Sequence, residues 1–169
     1  IHMVVTIVYS IRYLTGGKIQ YDLKAEQYAI TGMVFGIAGL ITGMIWARFT
    51  WGAFWVNDTK LNGAAAAMLM YAAYFILRQS TEDETKRAKL SAVYLVFAFP
   101  LMMAFIYILP RMTDSLHPGN GGNPAFGQYD LDNQMRLVFY PAIMGWTLLG
   151  VWITSIRIRI KKLWNSHEN

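Results

Sequence analysis

Ala29-Ile30-Thr31-Gly32-Met33-Val34-Phe35-Gly36-Ile37-Ala38-Gly39-Leu40-Ile41-Thr42-Gly43-Met44-Ile45-Trp46-Ala47 contains no charged side chain. A helix of about twenty such residues is roughly 30 Å long, the thickness of a bilayer's hydrocarbon core. This run therefore reads as a transmembrane span. Directly after it comes Trp51-Gly52-Ala53-Phe54-Trp55-Val56-Asn57-Asp58, and a second apolar run covers 61–77. If the aromatic stretch were helical, Trp51, Phe54, Trp55 and Asp58 would share one face, a flat shelf ending in an acid. Two readings are open. Such a shelf can be an interfacial aromatic belt, or a platform for a flat, greasy, partly anionic ligand.

Composition agrees with a membrane protein. Hydrophobic residues make up 55% of the 169, and mean hydropathy is +0.30. The formal charge of +5 does not indicate nucleic acid, because the basic residues cluster at the ends of apolar runs. Cysteine is absent, which excludes disulfides and thiolate chemistry. No signal peptide is legible at the start. The first apolar run is too short to span alone and reads as the inner end of a truncated helix, with the native chain expected to continue upstream.

Further apolar runs at 90–109 and 135–156 complete an expected all-α fold: a polytopic membrane bundle of about five spans, the first truncated, forming a single domain over 1–169. Pro100 is expected to kink its helix. Residues 18–26 read as a polar connector, 78–89 as an aqueous charged loop, and 157–169 as a short tail. Segments 48–60 and 110–134 read as the loops on the other side. Asp58 or Thr59 is expected to cap the helix that follows. Glycines 32, 36, 39 and 43 are expected to let another helix approach closely.

Charge fixes the orientation. Arg12, Lys18, Lys24, Arg78, Lys86, Arg87, Lys89, Arg157, Arg159, Lys161 and Lys162 fall on one side, and only Arg48, Lys60, Arg111 and Arg136 on the other. By the positive-inside rule the first side is cytoplasmic. The 51–58 stretch and the loop carrying His117 then share the outer face.

Those outer segments hold no nucleophile with an evident base, since Ser115 near His117 does not make a triad. One histidine and scattered acids do not make a zinc site. Haem suits them better: its faces stack on indoles, imidazole ligates its iron, and its propionates pair with Arg or Lys. A solvent-exposed loop histidine remains the plain alternative for His117. Met112 and Met135 border the outer loop as weaker axial candidates. His2, in an apolar segment, could be an intramembrane ligand but reads rather as a cloning remnant or a helix-end residue, and His167 reads as solvated. No Walker-type phosphate loop is present, so any ATPase must be another chain.

At Trp51-Gly52-Ala53-Phe54-Trp55-Val56-Asn57-Asp58, extended by Lys60-Leu61 and by Leu116-His117, the sequence resembles the WWD signature of haem-handling proteins in cytochrome c biogenesis. It is similar over nearly its whole length to the haem exporter protein C (CcmC) family. The resemblance implies a non-enzymatic protein of the bacterial cytoplasmic membrane that holds b-type, non-covalent haem at the periplasmic face. It implies haem contacts from Trp51, Gly52, Phe54, Trp55, Asn57 and Asp58. His117 matches the second of two outer histidines that ligate the iron. The first, usually in His-Val-Pro, has no counterpart here and is expected upstream. Lys60 and Arg111 are suggested as propionate partners. The implied partners are the haem chaperone CcmE, the ABC-type components CcmA, CcmB and CcmD, and the lipid bilayer. Asn57 stands where many members have Trp, and Phe54 also replaces Trp, keeping the stacking surface without the indole N–H. The alternatives are a subunit of a CcsA-type cytochrome c synthase and a scaffold subunit with no ligand.

Overall fold

The computed structural model describes residues 1–117 and 131–167. Among them all regular structure is helical: α1 (His2–Gly16), α2 (Ile19–Trp51), α3 (Thr59–Gln79), α4 (Glu84–Met103), a π turn (Ala104–Ile108), α5 (Leu109–Met112) and α6 (Asn133–His167). Four stretches are long and apolar enough to cross a membrane: α2, α3, α6, and Glu84–Met112, which joins α4 through the π turn to α5. The 15-residue α1 lies against α2 and α4. This is a multi-pass membrane protein.

Packing follows the rules of lipid rather than water. The interior holds small residues, with Ala25, Ala29, Ala67, Ala88, Ala92 and Ala98 all buried, around Tyr71, Tyr74 and Leu95. Large apolar side chains point outward instead, Leu69, Phe97 and Leu137 each being at least 70% exposed. In water such surface would drive aggregation, whereas in hydrocarbon it costs nothing and small residues let helices approach. Several interior hydroxyls find partners within or between helices. Thr6 and Ser10 donate to the carbonyls of His2 and Thr6 (3.0 and 2.9 Å), and Thr154 of α6 donates to Thr31 of α2 (2.9 Å).

The glycine expectation divides. A side chain on Gly32 would press on Met3 (2.9 Å), and one on Gly36 on the Met68 sulfur (2.7 Å), while Gly39 and Gly43 face open space. The tightest approach lies elsewhere. Gly63 of α3 sits against the Phe105 carbonyl in the π turn, one turn beyond Pro100, so the departure from α-geometry follows the proline rather than coinciding with it. Gly63→Ala would drive a methyl into backbone. It is expected to destabilise by about 1–3 kcal/mol, while Gly39→Ala is near neutral. Thermal unfolding of both variants in one detergent checks this.

Four boundaries differ from expectation. Residues 19–26 are not a connector but the first two turns of α2, because Gly17 takes a left-handed φ of 65° that ends α1 and lets a new helix start at once. Arg78 is not aqueous: only 7% exposed, it donates to both Asp22 oxygens (2.7 and 2.6 Å) and to Glu26 Oε1 (2.8 Å). Asp22 and Glu26 stand one helical turn apart, so one guanidinium reaches both. The cationic stretch after 156 continues α6 to His167. The loop after 109 is shorter than expected, because α5 runs to Met112 and α6 begins at Asn133, with Asp132 accepting from Met135 N (2.7 Å). Residues 118–130, including Pro118, Gly119, Gly121, Gly122 and Asp130, lie outside the described part.

Candidate functional site

The aromatic stretch does not form a helical shelf. Gly52 has a φ of 81°, a left-handed conformation that glycine adopts without strain, and it stops α2 at Trp51. Arg48 reinforces the stop by donating to the Gly52 carbonyl and lies over the Phe54 ring at 6.0 Å. Helix resumes only at Thr59. Trp51, Phe54 and Trp55 are therefore splayed rather than stacked on one face. Trp55 donates its indole N–H to Asn62 Oδ1 (3.2 Å), and Asn62 Nδ2 donates to Asn57 Oδ1 (2.8 Å). Asn57 thus braces the loop through Asn62, a residue the sequence reading passed over.

Asp58 is the centre of the arrangement. It caps α3, its Oδ1 accepting from Lys60 N (2.9 Å) and Leu61 N (3.2 Å). The carboxylate also reaches across to the second loop. Its Oδ2 accepts from Ser115 Oγ (2.8 Å) and Leu116 N (2.7 Å), and Oδ1 lies 2.9 Å from His117 Nδ1. Ser115 Oγ in turn accepts from His117 N (3.1 Å). A further stitch runs from Thr113 Oγ1 to Thr59 Oγ1 (3.1 Å). So the two segments separated by α3, α4 and α5, which the sequence allowed to meet, do meet at one end of the bundle. Asp58 itself is 3% exposed and turned toward protein donors.

Burial pushes the Asp58 carboxyl up, but hydrogen bonds from Leu116, Ser115 and Leu61 and the nearby His117 outweigh it and hold it below the usual range. Burial pushes His117 down, and Lys60 adds to that. Asp58 works in the opposite direction without overcoming them, so the imidazole sits below its ordinary value. At neutral pH the pair is a carboxylate and a neutral imidazole. A carboxylate only accepts, so the proton resides on Nδ1 and Nε2 keeps its lone pair.

Indoles frame that imidazole. The Trp51 ring meets His117 edge-on at 4.8 Å, Trp46 lies 6.2 Å from it, and Trp46 and Trp51 are 5.0 Å apart. Trp46 was missed in the sequence because it belongs to the apolar run and carries no motif. Phe54 and Trp55 are 54% and 39% exposed at the same end. Lys60 lies in the first turn of α3, and the Arg111 guanidinium stacks over Tyr107 at 3.8 Å. Met112 and Met135 are exposed. His2 is buried among Tyr28 and Phe35, beside Gly150 of α6, far along α2 from Trp51. Among the described residues no cluster of three or more His, Cys, Asp or Glu could hold a metal ion. One imidazole beside apolar ring faces suits a planar metal complex that brings most of its own ligands.

Comparison with known proteins points the same way. Heme exporter protein C of Escherichia coli K12 is 25% identical over 138 residues, covering 82% of this chain and 54% of that protein. The Paracoccus denitrificans protein of the same name is 28% identical over 137 residues, covering 81% and 56%. The chain thus spans about half the length of these relatives. A cytochrome c biogenesis protein CcsA from Parasynechococcus marenigrum is 34% identical over 84 residues, half of this chain and 27% of that protein. The family model for heme exporter protein C matches residues 2–168, so the chain belongs to the haem exporter protein C family.

Proposed function

We propose that this chain holds b-type haem non-covalently at the periplasmic face of the bacterial cytoplasmic membrane and passes it on during cytochrome c assembly. The observation that carries this reading is the His117–Asp58 pair beside Trp51 and Trp46. A carboxylate behind an imidazole orients it and makes its other nitrogen a better ligand. His117 Nε2 is the iron ligand. Trp51, Trp46, Phe54 and Trp55 offer ring surface to the macrocycle, and Lys60 and Arg111 suit its propionates. Gly52, Asn57 and Asp58 shape the loop that presents them. A carrier must also release its cargo, and a site at a loop-built bundle end favours release over burial. CcmE is the proposed recipient, with CcmA, CcmB and CcmD as the associated ABC-type components. The positive-inside bias supports a cytoplasmic C-terminus.

His117→Ala is expected to abolish most haem retained on purification while the protein still inserts, read as the Soret absorbance per polypeptide. Equal Soret absorbance in wild type and variant removes His117 from the site. No Soret band in either, even after added haem, leaves a scaffold with an aromatic belt. Protonated imidazole cannot ligate, and burial lowers His117. Retention is therefore expected to hold from pH 8 down through about 6.5, the ordinary histidine value, and to fall only below it.

The likeness to a CcsA protein supports a second reading, a subunit of a cytochrome c synthase. Incubation with haem and a Cys-x-x-Cys-His peptide separates the two. A carrier leaves the haem extractable, whereas a synthase makes it covalent.

A further inference from the structure

The opposite end of the bundle from His117 contains a second feature that the haem reading does not use. A cavity of about 680 Å³ opens there between the start of α2, the end of α3, the start of α4 and the end of α6. The Arg78–Asp22–Glu26 cluster is part of its lining, and its two carboxylates are both tied to the guanidinium. Arg87, Lys161 and Lys162 line it, and none makes an ion pair among the described residues. Against these three stands one further lining carboxylate, Glu84. The rest of the wall is partly apolar, with Ile19, Leu23, Ile30 and Phe75. An adjoining cavity of about 400 Å³ shares Glu26, Ile30 and Lys161 and adds Arg157 and Trp164.

Depth in the membrane says what fits. With 33 residues, α2 is roughly 50 Å long, well over the hydrocarbon thickness. If 29–47 lies in the hydrocarbon, then Ile19 to Glu26 lie at headgroup level. A partly apolar cleft with lysines and arginines at that depth matches an amphiphile with an anionic head and acyl tails, and basic pockets between helices on the cytoplasmic side bind such heads.

We propose that this cleft is a binding site for the phosphate head of an anionic phospholipid, with Arg87, Lys161 and Lys162 as its charge contacts. The site stands on membrane insertion alone and is independent of haem binding. The test uses the whole chain, delipidated in mild detergent, with native mass spectrometry reading bound lipid. The probes are phosphatidylglycerol and phosphatidylcholine of the same acyl chains, and inorganic phosphate as competitor. Wild type is expected to prefer phosphatidylglycerol by about tenfold or more, as three basic contacts near a charged head allow. Arg87→Gln/Lys161→Gln/Lys162→Gln is expected to bring the preference close to one. A matched charge change outside the cleft, Lys86→Gln/Lys89→Gln/Arg159→Gln, is expected to keep it, with unchanged melting in all three proteins showing intact folding. Equal loss in the matched variant, no preference in wild type, or displacement of the lipid by millimolar inorganic phosphate would each overturn the proposal. If the cleft variant melts early, single substitutions at Lys161 and Lys162 replace it, and an unchanged preference in both overturns the proposal equally.

Discussion

Asp58→Asn is expected to weaken haem retention by about 10- to 100-fold, the usual effect of removing the group that orients a ligating histidine, although Asp58 itself is buried. Asparagine caps helices as well as aspartate does, so α3 should keep its first turn. The amide has only one accepting oxygen, however, and Asp58 uses both. With its oxygen at the Oδ1 position, where it caps α3 and meets His117 Nδ1, the amide would leave Leu116 N and Ser115 Oγ without their acceptor, and the 113–117 segment would loosen. Asp58→Ala removes the cap as well and should add about 0.5–2 kcal/mol of destabilisation. Soret absorbance per polypeptide together with melting temperature separates the two effects. If Asp58→Asn binds haem as wild type does, the orienting role is wrong, whatever becomes of the alanine variant.

Asp58 also carries a pH signature in stability. Its folded pKa lies below the ordinary value, so the unfolded chain takes up protons first as pH falls. Its contribution is complete above the unfolded carboxylate value of about 4 and is lost as pH drops through the folded one. His117 is also depressed, so its contribution is complete above about 6.5 and declines below that. Melting should therefore fall in two acid steps, and the higher step should vanish in His117→Ala.

The largest loss of stability is expected at the other end of the bundle. Arg78→Met would leave Asp22 and Glu26, 5% exposed and part-buried respectively, facing each other with no cation between them. Breaking a buried ion pair from one side costs about 3–5 kcal/mol, because the remaining charge stays desolvated. Low membrane yield and a melting temperature well below wild type are the expected readouts. Adding Asp22→Asn and Glu26→Gln to Arg78→Met should restore most of the loss, because the stranded charges are then gone. Failure of that rescue would mean that Arg78 acts through packing of its stem. Arg78→Lys should fall between, since an ammonium cannot bridge both carboxylates with the geometry of a guanidinium.

The amino-acid sequence by itself determined the membrane class, the long spans and which segments share an end. These depend on quantities additive along the chain: hydropathy over about twenty residues and the bias of basic residues between loops. It also narrowed the cap of α3 to Asp58 or Thr59 and carried the family signature at 51–58. What it could not supply was everything that depends on one atom meeting another across the bundle. The aromatic stretch looked helical by spacing, yet the single left-handed glycine at 52 splays it. Arg78 looked aqueous by its neighbours in sequence, yet two carboxylates 52 and 56 residues away hold it in the interior. Asp58 looked like the edge of a ligand platform. Only the tertiary structure, by bringing residue 117 within 2.9 Å, makes it the group that fixes the histidine's tautomer. Periodicity reports which face a residue shares, whereas a hydrogen bond requires distance and angle, and those are set only when the helices have packed.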